Sequence, residues 1–539
     1  MREQFRLNEI IAACDAEVLF AGPPEAADRP LAAVSTDSRT IRKGDLFIAL
    51  SGERTDGHLY IDQAVKNGAA AVLAEKREAA EAYAAELPCL ITGDSSLALA
   101  RIARLWREKV NPVLIAVTGS VGKTSVRDMS AEALGVSSSV HKNEANQNNI
   151  YGVPYTLLAM PEDTEIAVIE AAMDRRGELS RISEATAPDI VMINTIGTSH
   201  IERLGSRRAI KEAKAELLEK LRPGGPLVLN GEDPFLLDLA EEKLSEMPLI
   251  FLSSKGRCTS LQTPLTTEDR KISKGASPER LKELARKASA YKGPMRFPAL
   301  PSGTILEIEE LESAESGMRV KLSAVLPDGQ RAYAAEARFD KPALQHAANV
   351  LFAYAALLLC EKPLQEGLDA LRTMRFTGSR QEMTPLKGGG LLIDDCYNAS
   401  PESMKAAFSL VSRLAAGEKQ YKSITAVLGG VKELGRFAGP LHREIGRAAA
   451  GAPFDCFYLI GEYAGEMAAG IRERRSGARI CCLDTQEELL HALESAAQPG
   501  TLYLVKASRG YQLEKSCALI QKKLGTETKG DGRCCRRNY

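Results

Sequence analysis

Residues 112–116 (Pro-Val-Leu-Ile-Ala) run directly into Val117-Thr118-Gly119-Ser120-Val121-Gly122-Lys123-Thr124-Ser125. An apolar strand feeding a glycine loop that ends in Gly-Lys-Thr is the signature of a parallel βα unit built around a phosphate. Backbone N–H groups of the loop and of the following helix N-terminus face the phosphate oxygens. Lys123 adds positive charge, and the Thr124 hydroxyl suits Mg²⁺. Gly119, Ser120, Val121, Gly122, Lys123, Thr124 and Ser125 are therefore expected to hold ATP or GTP. The general pattern carries a glycine where this chain has Val117, so the loop belongs to a short-form subclass.

The rest of the composition narrows the class of partner. Across 539 residues the net charge is −1, which gives no electrostatic pull toward nucleic acid or an anionic membrane. No run of 18 apolar residues exists, so membrane insertion is not expected. The first residues lack a signal-peptide apolar core, and the 11 cysteines show no Cys-x-x-Cys spacing. A cytoplasmic protein with reduced thiols is the simplest expectation.

The chain is long enough for about three domains. Residues 1–108 mix short strands and helices. Residues 109–375 open with the phosphate loop and alternate strands (112–117, 166–170, 189–194) with helical patterns, which predicts a parallel sheet covered on both faces. A second alternating series over 376–524 predicts a Rossmann-like domain. The fold class is thus α/β in three domains. Residues 256–302, rich in Lys, Arg, Ser, Thr and Pro with an amphipathic stretch at 278–291, are expected to form a mobile surface insertion. The polar tail 525–539 is expected to be disordered.

Ligands in open α/β sheets gather at the carboxyl ends of strands. Glu170 ends the second strand and His200 follows the third. With Thr124 they form an O/N donor set suited to Mg²⁺ bridging phosphates. Alone, Glu170 reads as a solvated strand end, His200 as a turn residue and Lys214 as a solvated helical lysine.

The run Thr118–Thr124, then Asn146-Gln147-Asn148-Asn149, Glu170, Ser199-His200-Ile201-Glu202 and Ala213-Lys214, resembles the Mur ligases of peptidoglycan synthesis. The resemblance extends over nearly the whole chain. It implies a catalytic role for Lys123, His200 and Lys214, with Lys214 carbamylated and joining Thr124, Glu170 and His200 around Mg²⁺. A neutral lysine amine that captures CO₂ becomes a carboxylate-like ligand. The segment Thr36-Asp37-Ser38-Arg39 resembles the family's UDP-sugar site, which implies substrate contacts from Ser35, Asp37, Ser38 and Arg39, joined by Asn148 and Asn149. Asp394-Asp395-Cys396-Tyr397-Asn398, after Gly378-Ser379-Arg380, resembles the segment that reaches ATP from the C-terminal domain. Asn349, Arg380 and Asp395 are implied nucleotide contacts, and Tyr397 and Asn398 implied substrate contacts. These segments are most similar to the branch that adds D-alanyl-D-alanine to UDP-MurNAc-tripeptide through an acyl phosphate. A monomer is expected.

The chain departs from the family's usual pattern at Gln345, Cys396, Ser400, Gly430, Ala507 and Ala171–Asp174, mostly near the adenine and the incoming amine. Three other readings therefore stay open: a related ligase with a different amine or carboxylate substrate, a secondary copy acting on a modified cell-wall precursor, and a nucleotide-binding scaffold that no longer ligates. The intact set of Lys123, Thr124, Glu170, His200 and Lys214 separates the ligase from the scaffold.

Overall fold

A computed structural model describes residues 4–22, 29–52, 55–256, 272, 277–314, 317–340, 346–374, 382–417 and 420–526. Three sheets of five, nine and six strands follow one another along the chain, each flanked by helices, giving three α/β units. Among the described residues, no helix is long and apolar enough to cross a membrane.

The central sheet positions the phosphate loop. Its strand Val113–Thr118 is buried from Leu114 onward and is hydrogen-bonded in parallel to Ile166–Glu170 on one side and Ile190–Ile193 on the other. A strand covered on both faces gains from a continuous β-branched and aliphatic run, which is what Val-Leu-Ile-Ala-Val supplies. Because the strands run parallel, Thr118, Glu170 and Ile193 end at the same edge of the sheet. Parallel pairing continues outward through Leu227–Asn230 and Leu249–Ser253 to Ile305–Ala314.

Two features differ from the sequence expectation. Leu249–Ser253 and Ile305–Ala314 are parallel neighbours, so the chain between them must cross over a face of the sheet. Helix Pro278–Ala288 lies in this crossover, capped by Ser277 and burying Leu281, Leu284, Ala285 and Ala288. Residues 277–302 are thus packed connection rather than mobile insertion, while 257–271 and 273–276 lie outside the described residues. The second difference is an antiparallel extension, Ile305–Ala314 to Gly317–Val325 to Arg331–Phe339, at one sheet edge. Its alternating pattern carries paired charges such as Arg319–Glu312 and Lys321–Glu310 on the open face.

The C-terminal sheet has Gly390–Asp395 and Thr501–Lys506 as parallel neighbours, with Ser423–Gly429 beyond. Asp395 and Lys506 come into register at its carboxyl edge. The N-terminal unit connects through helix Ser95–Val110, where Arg107 pairs with Asp189 at 2.5 Å with both side chains fully buried. Asp189 Oδ2 also accepts from the Leu114 amide, and Oδ1 is ion-paired with Arg296 at 2.8 Å, so the buried carboxylate is held between cations where the helix meets the central sheet. Of the tail 525–539 expected to be disordered, Gly525 and Thr526 instead pair with Lys387 and Leu386, and 527–539 lie outside the described residues.

Candidate active site

Ser120 through Ser125 line a cavity of 360 Å³ between the central and C-terminal units. Gly119 and Gly122 have φ of +150° and +87°, values that favour glycine. Space forbids other residues as well. A Cβ on Gly119 would overlap Asn194 Oδ1, and one on Gly122 would come within 2.8 Å of Asn194 Nδ2. Asn194 follows the strand Ile190–Ile193, and its amide donates to the Val121 carbonyl. It is a site residue that the sequence reading missed, although its place at a strand end was the available signal.

The loop amides are shared out. Ser120 N donates to Thr195 O at 2.9 Å, and Val121 N to Thr195 Oγ1 at 3.2 Å. Those two are therefore committed inside the protein, which differs from the expectation that the whole loop faces phosphate. Anion binding falls to the first-turn amides of helix Lys123–Leu134, which have no intrahelical partner. Lys123 Nζ lies 3.0 Å from Gly119 O, folded back over its own loop.

Glu170 is buried at the sheet edge. Its Oε1 accepts from Asn148 Nδ2 at 2.8 Å, and its backbone is clamped on both sides by Asn143. Oε2 has no hydrogen-bond donor among the described residues; its nearest cation is the Arg127 guanidinium at 3.5 Å. A buried carboxylate oxygen left without a donor costs free energy until a cation meets it. Arg127 was also missed by the sequence reading, because its position one turn into the helix looks like an ordinary solvated one.

Lys214 lies on helix Arg207–Ala215 and is 2% exposed. Its ammonium has no hydrogen bond or counter-ion among the described residues. Burial, and secondarily the charge of Lys123, push its pKa well below the ordinary lysine value. The neutral amine is favoured, which is the form that reacts with CO₂. Lys214 is not among the lining residues of the cavity, although it is close enough to Lys123 to feel its charge.

His200 departs from the expected ligand shell. It takes a left-handed backbone conformation (φ +62°), and its Nδ1 lies 2.7 Å from Glu433 Oε2 and 3.1 Å from Asp174 Oδ1. Its hydrogen bond holds Glu433 below the usual carboxylate range. The close acidic partners of His200 are thus Asp174 and Glu433, rather than Glu170. Thr124 lines the cavity with Glu170 and also an adjoining one with His200, and stands between the two. The donor types fit Mg²⁺: an oxygen-rich set with an orphaned carboxylate oxygen at Glu170 and a buried unpaired amine at Lys214.

The C-terminal unit contributes Asp395, Tyr397 and Asn398 to the same cavity. Asp395 is ion-paired with Lys506 at 2.7 Å, both buried, and Lys506 Nζ also reaches Asn398 O at 3.1 Å. Lys506 is a further lining residue without an assigned role in the sequence reading. Asn349 lines the cavity near Gly122 and contacts His346 at 3.3 Å. Arg380 and Gln345 lie outside the described residues.

A second cavity, 1510 Å³, lies between the N-terminal and central units. Asp37, Ser38, Arg39, Asn148 and Asn149 line it, and Ser35 does not. Ser35 Oγ instead bonds Thr40 Oγ1 at 3.0 Å and accepts from the Asp37 amide. Asp37 and Arg39 form a bidentate pair at 2.9 and 2.7 Å, which lowers the Asp37 pKa to about 2. Asn149 caps helix Gly152–Leu158 through the Tyr151 and Gly152 amides. Asn146, Asn148 and Ala172 line both this cavity and that of the phosphate loop.

Three family descriptions match the chain: Mur ligase family, catalytic domain, over 30–107; Mur ligase middle domain over 117–273; and Mur ligase, glutamate ligase domain, over 379–509. UDP-N-acetylmuramoyl-tripeptide--D-alanyl-D-alanine ligase of Bacillus subtilis is 30% identical over 89% of this chain and 91% of its own length. The enzyme of the same name from Escherichia coli is 27% identical over 93% and 96%. The crystal structure of MurF from Acinetobacter baumannii aligns with a TM-score of 0.74 and 25% identity, covering 96% of this chain and 99% of that one.

Proposed function

The chain belongs to the Mur ligase family, and from that premise we propose that it is the ATP-dependent ligase that joins D-alanyl-D-alanine to UDP-MurNAc-tripeptide. The observation that carries this reading is the wall shared by the two cavities at Asn146, Asn148 and Ala172. A nucleotide-sugar held among Asp37, Ser38 and Arg39 in the large cavity can direct its peptide carboxylate past Asn148 to a γ-phosphate at the helix N-terminus.

The chemistry follows from charge. A carboxylate oxygen attacks the γ-phosphorus, ADP leaves, and an acyl phosphate forms. Lys123 and the first-turn amides of Lys123–Leu134 neutralise the negative charge that builds on the phosphoryl oxygens. The amine of the dipeptide then attacks the acyl carbon, the tetrahedral adduct expels inorganic phosphate, and an amide bond remains. Tyr397, Asn398 and the Asp395–Lys506 pair approach the loop from the C-terminal unit, so closure of that unit helps exclude water from the acyl phosphate.

Mg²⁺ would be held by Thr124, Glu170 and a carbamate on Lys214, with His200 offering Nε2. When bound it would offset the negative charge of the phosphate groups. Carbamylation is balanced as neutral amine plus CO₂ giving carbamate and a proton.

The test is phosphate release from Mg-ATP by purified protein with UDP-MurNAc-tripeptide, with and without D-Ala-D-Ala. Release that requires both, with a pentapeptide product, is expected. Release only with another amine would keep the ligase and move its specificity; ATP binding without release under any condition would reject ligation.

A further inference from the structure

In the C-terminal unit, next to the segment that lines the phosphate cavity, two thiols meet. Cys396 follows strand Gly390–Asp395, and Cys517 lies on helix Glu514–Leu524, the last helix described. Both are buried, and their sulfurs are 3.7 Å apart. Asp394 completes the group: its ligand oxygen and both sulfurs all lie within 4.8 Å of one another. Its Oδ1 accepts from the Cys396 amide at 3.1 Å, which fixes the carboxylate beside the thiols.

The separation carries chemical information. Two thiolates bound to one tetrahedral zinc at about 2.3 Å stand about 3.8 Å apart. The two sulfurs already have that spacing, on a strand end and a helix brought together by the fold rather than on one flexible loop. Asp394 is half-buried, so its carboxylate opens the group to solvent while the sulfurs stay inside. Soft sulfur donors select thiophilic ions over Mg²⁺, so the group is chemically distinct from the oxygen-rich set at Thr124 and Glu170.

We propose that Cys396, Cys517 and Asp394 form a binding site for a thiophilic divalent cation of the zinc type, with solvent as the fourth ligand. Binding is balanced as one M²⁺ plus two thiols and one carboxylate giving the complex and two protons. Hydrogen bonding between the thiols, together with burial, keeps Cys396 protonated in the metal-free protein, so the ion must displace those protons. An ion seated here would tie the loop carrying Asp395 and Tyr397 to the final helix and stabilise the C-terminal unit.

The experiment uses the full chain with Cys481, Cys482, Cys534 and Cys535 changed to Ser, which removes the adjacent cysteine pairs. Titration with Cd²⁺ is expected to give one equivalent of thiolate-to-metal ultraviolet absorption, lost in Cys517→Ala. Crystals soaked in Zn²⁺ should show an anomalous peak about 2.3 Å from both sulfurs, and Zn²⁺ should raise Tm in the parent and not in Cys517→Ala. Should Cys517→Ala fold poorly, Cys396→Ser, which changes one donor atom, provides the same comparison. Equal absorption in parent and variant, or a peak only elsewhere, would overturn the proposal.

Discussion

Lys211 and Lys214 lie one turn apart on the same helix, each about 2% exposed, and their surroundings give them opposite chemistry. Lys211 reaches Asp238 at 2.5 Å and Glu242 at 2.6 Å. Burial alone would lower its pKa, but the two carboxylates outweigh it and the net shift is upward. Lys214 meets no carboxylate among the described residues; burial and Lys123 both act in the same downward direction. On the same side of one helix, one buried lysine thus has counter-charges that favour its ammonium, and the other has none, which favours loss of its proton. Burial is not what makes a lysine reactive; burial without a counter-charge is.

The largest break of this contrast should come from Lys123. Lys123→Ala is expected to reduce ligation by roughly 10²–10³-fold, since a preorganised cation at the phosphoryl oxygens is lost. Full ligation by that variant would reject the loop assignment. It also removes the like charge nearest Lys214, so the Lys214 amine should regain part of its proton affinity, readable by its rate of reaction with an amine-specific reagent against pH.

Next in size, Lys214→Ala should lower activity by about 10–100-fold with a raised Mg²⁺ requirement, and added formate or acetate should restore part of the rate. Unchanged Mg²⁺ dependence would remove Lys214 from the metal site. Lys211→Met should do the reverse: near-normal kcat and a stability loss of about 1–2 kcal/mol, seen as a lower Tm. If Lys211→Met abolished ligation while Tm held, the contrast between the two lysines would collapse.

The pH profile sharpens the same comparison. Lys214 has a folded pKa below its unfolded value, so the unfolded chain binds more protons between the two, and stability rises with pH through that window. Lys214→Met should flatten the rise in denaturant midpoints below pH 10.5. Lys211 has the opposite sign: its contribution is fully present below the unfolded pKa and is lost as pH climbs through the raised folded value. The smallest effect is expected at Arg39, on the open surface. Arg39→Ala should leave Tm nearly unchanged, because exposed ion pairs are screened by solvent, yet raise KM for the nucleotide-sugar, and an unchanged KM would take Arg39 out of that cavity's function.

Legibility tracked sequence distance. Strand 113–118, its glycine turn and the following helix could be read because they are contiguous and each residue type has a local reason. Residues 256–302 were read as a surface insertion although their amphipathic stretch at 278–291 was visible, because the buried stripe of Leu281, Leu284, Ala285 and Ala288 does not by itself say what it packs against. The same limit applied at Asp395: the sequence pointed to the residue but not to its partner Lys506, 111 positions away and adjacent only through strand register. His200 was found as a candidate, but its engagement by Glu433 depends on how the C-terminal unit sits against the central one.

The sequence by itself therefore determined the α/β architecture and the glycine loop, since periodicity, glycine placement and Gly-Lys-Thr act over a few residues, and the resemblance of its motifs pointed to the family. Only the tertiary structure decided which buried lysine has counter-charges and which has none, why Gly119 must face Asn194, and how two cavities share a wall at Asn148. Those outcomes depend on which groups burial brings within a few ångströms, and electrostatic and steric terms at that range are set by residues far apart in the chain.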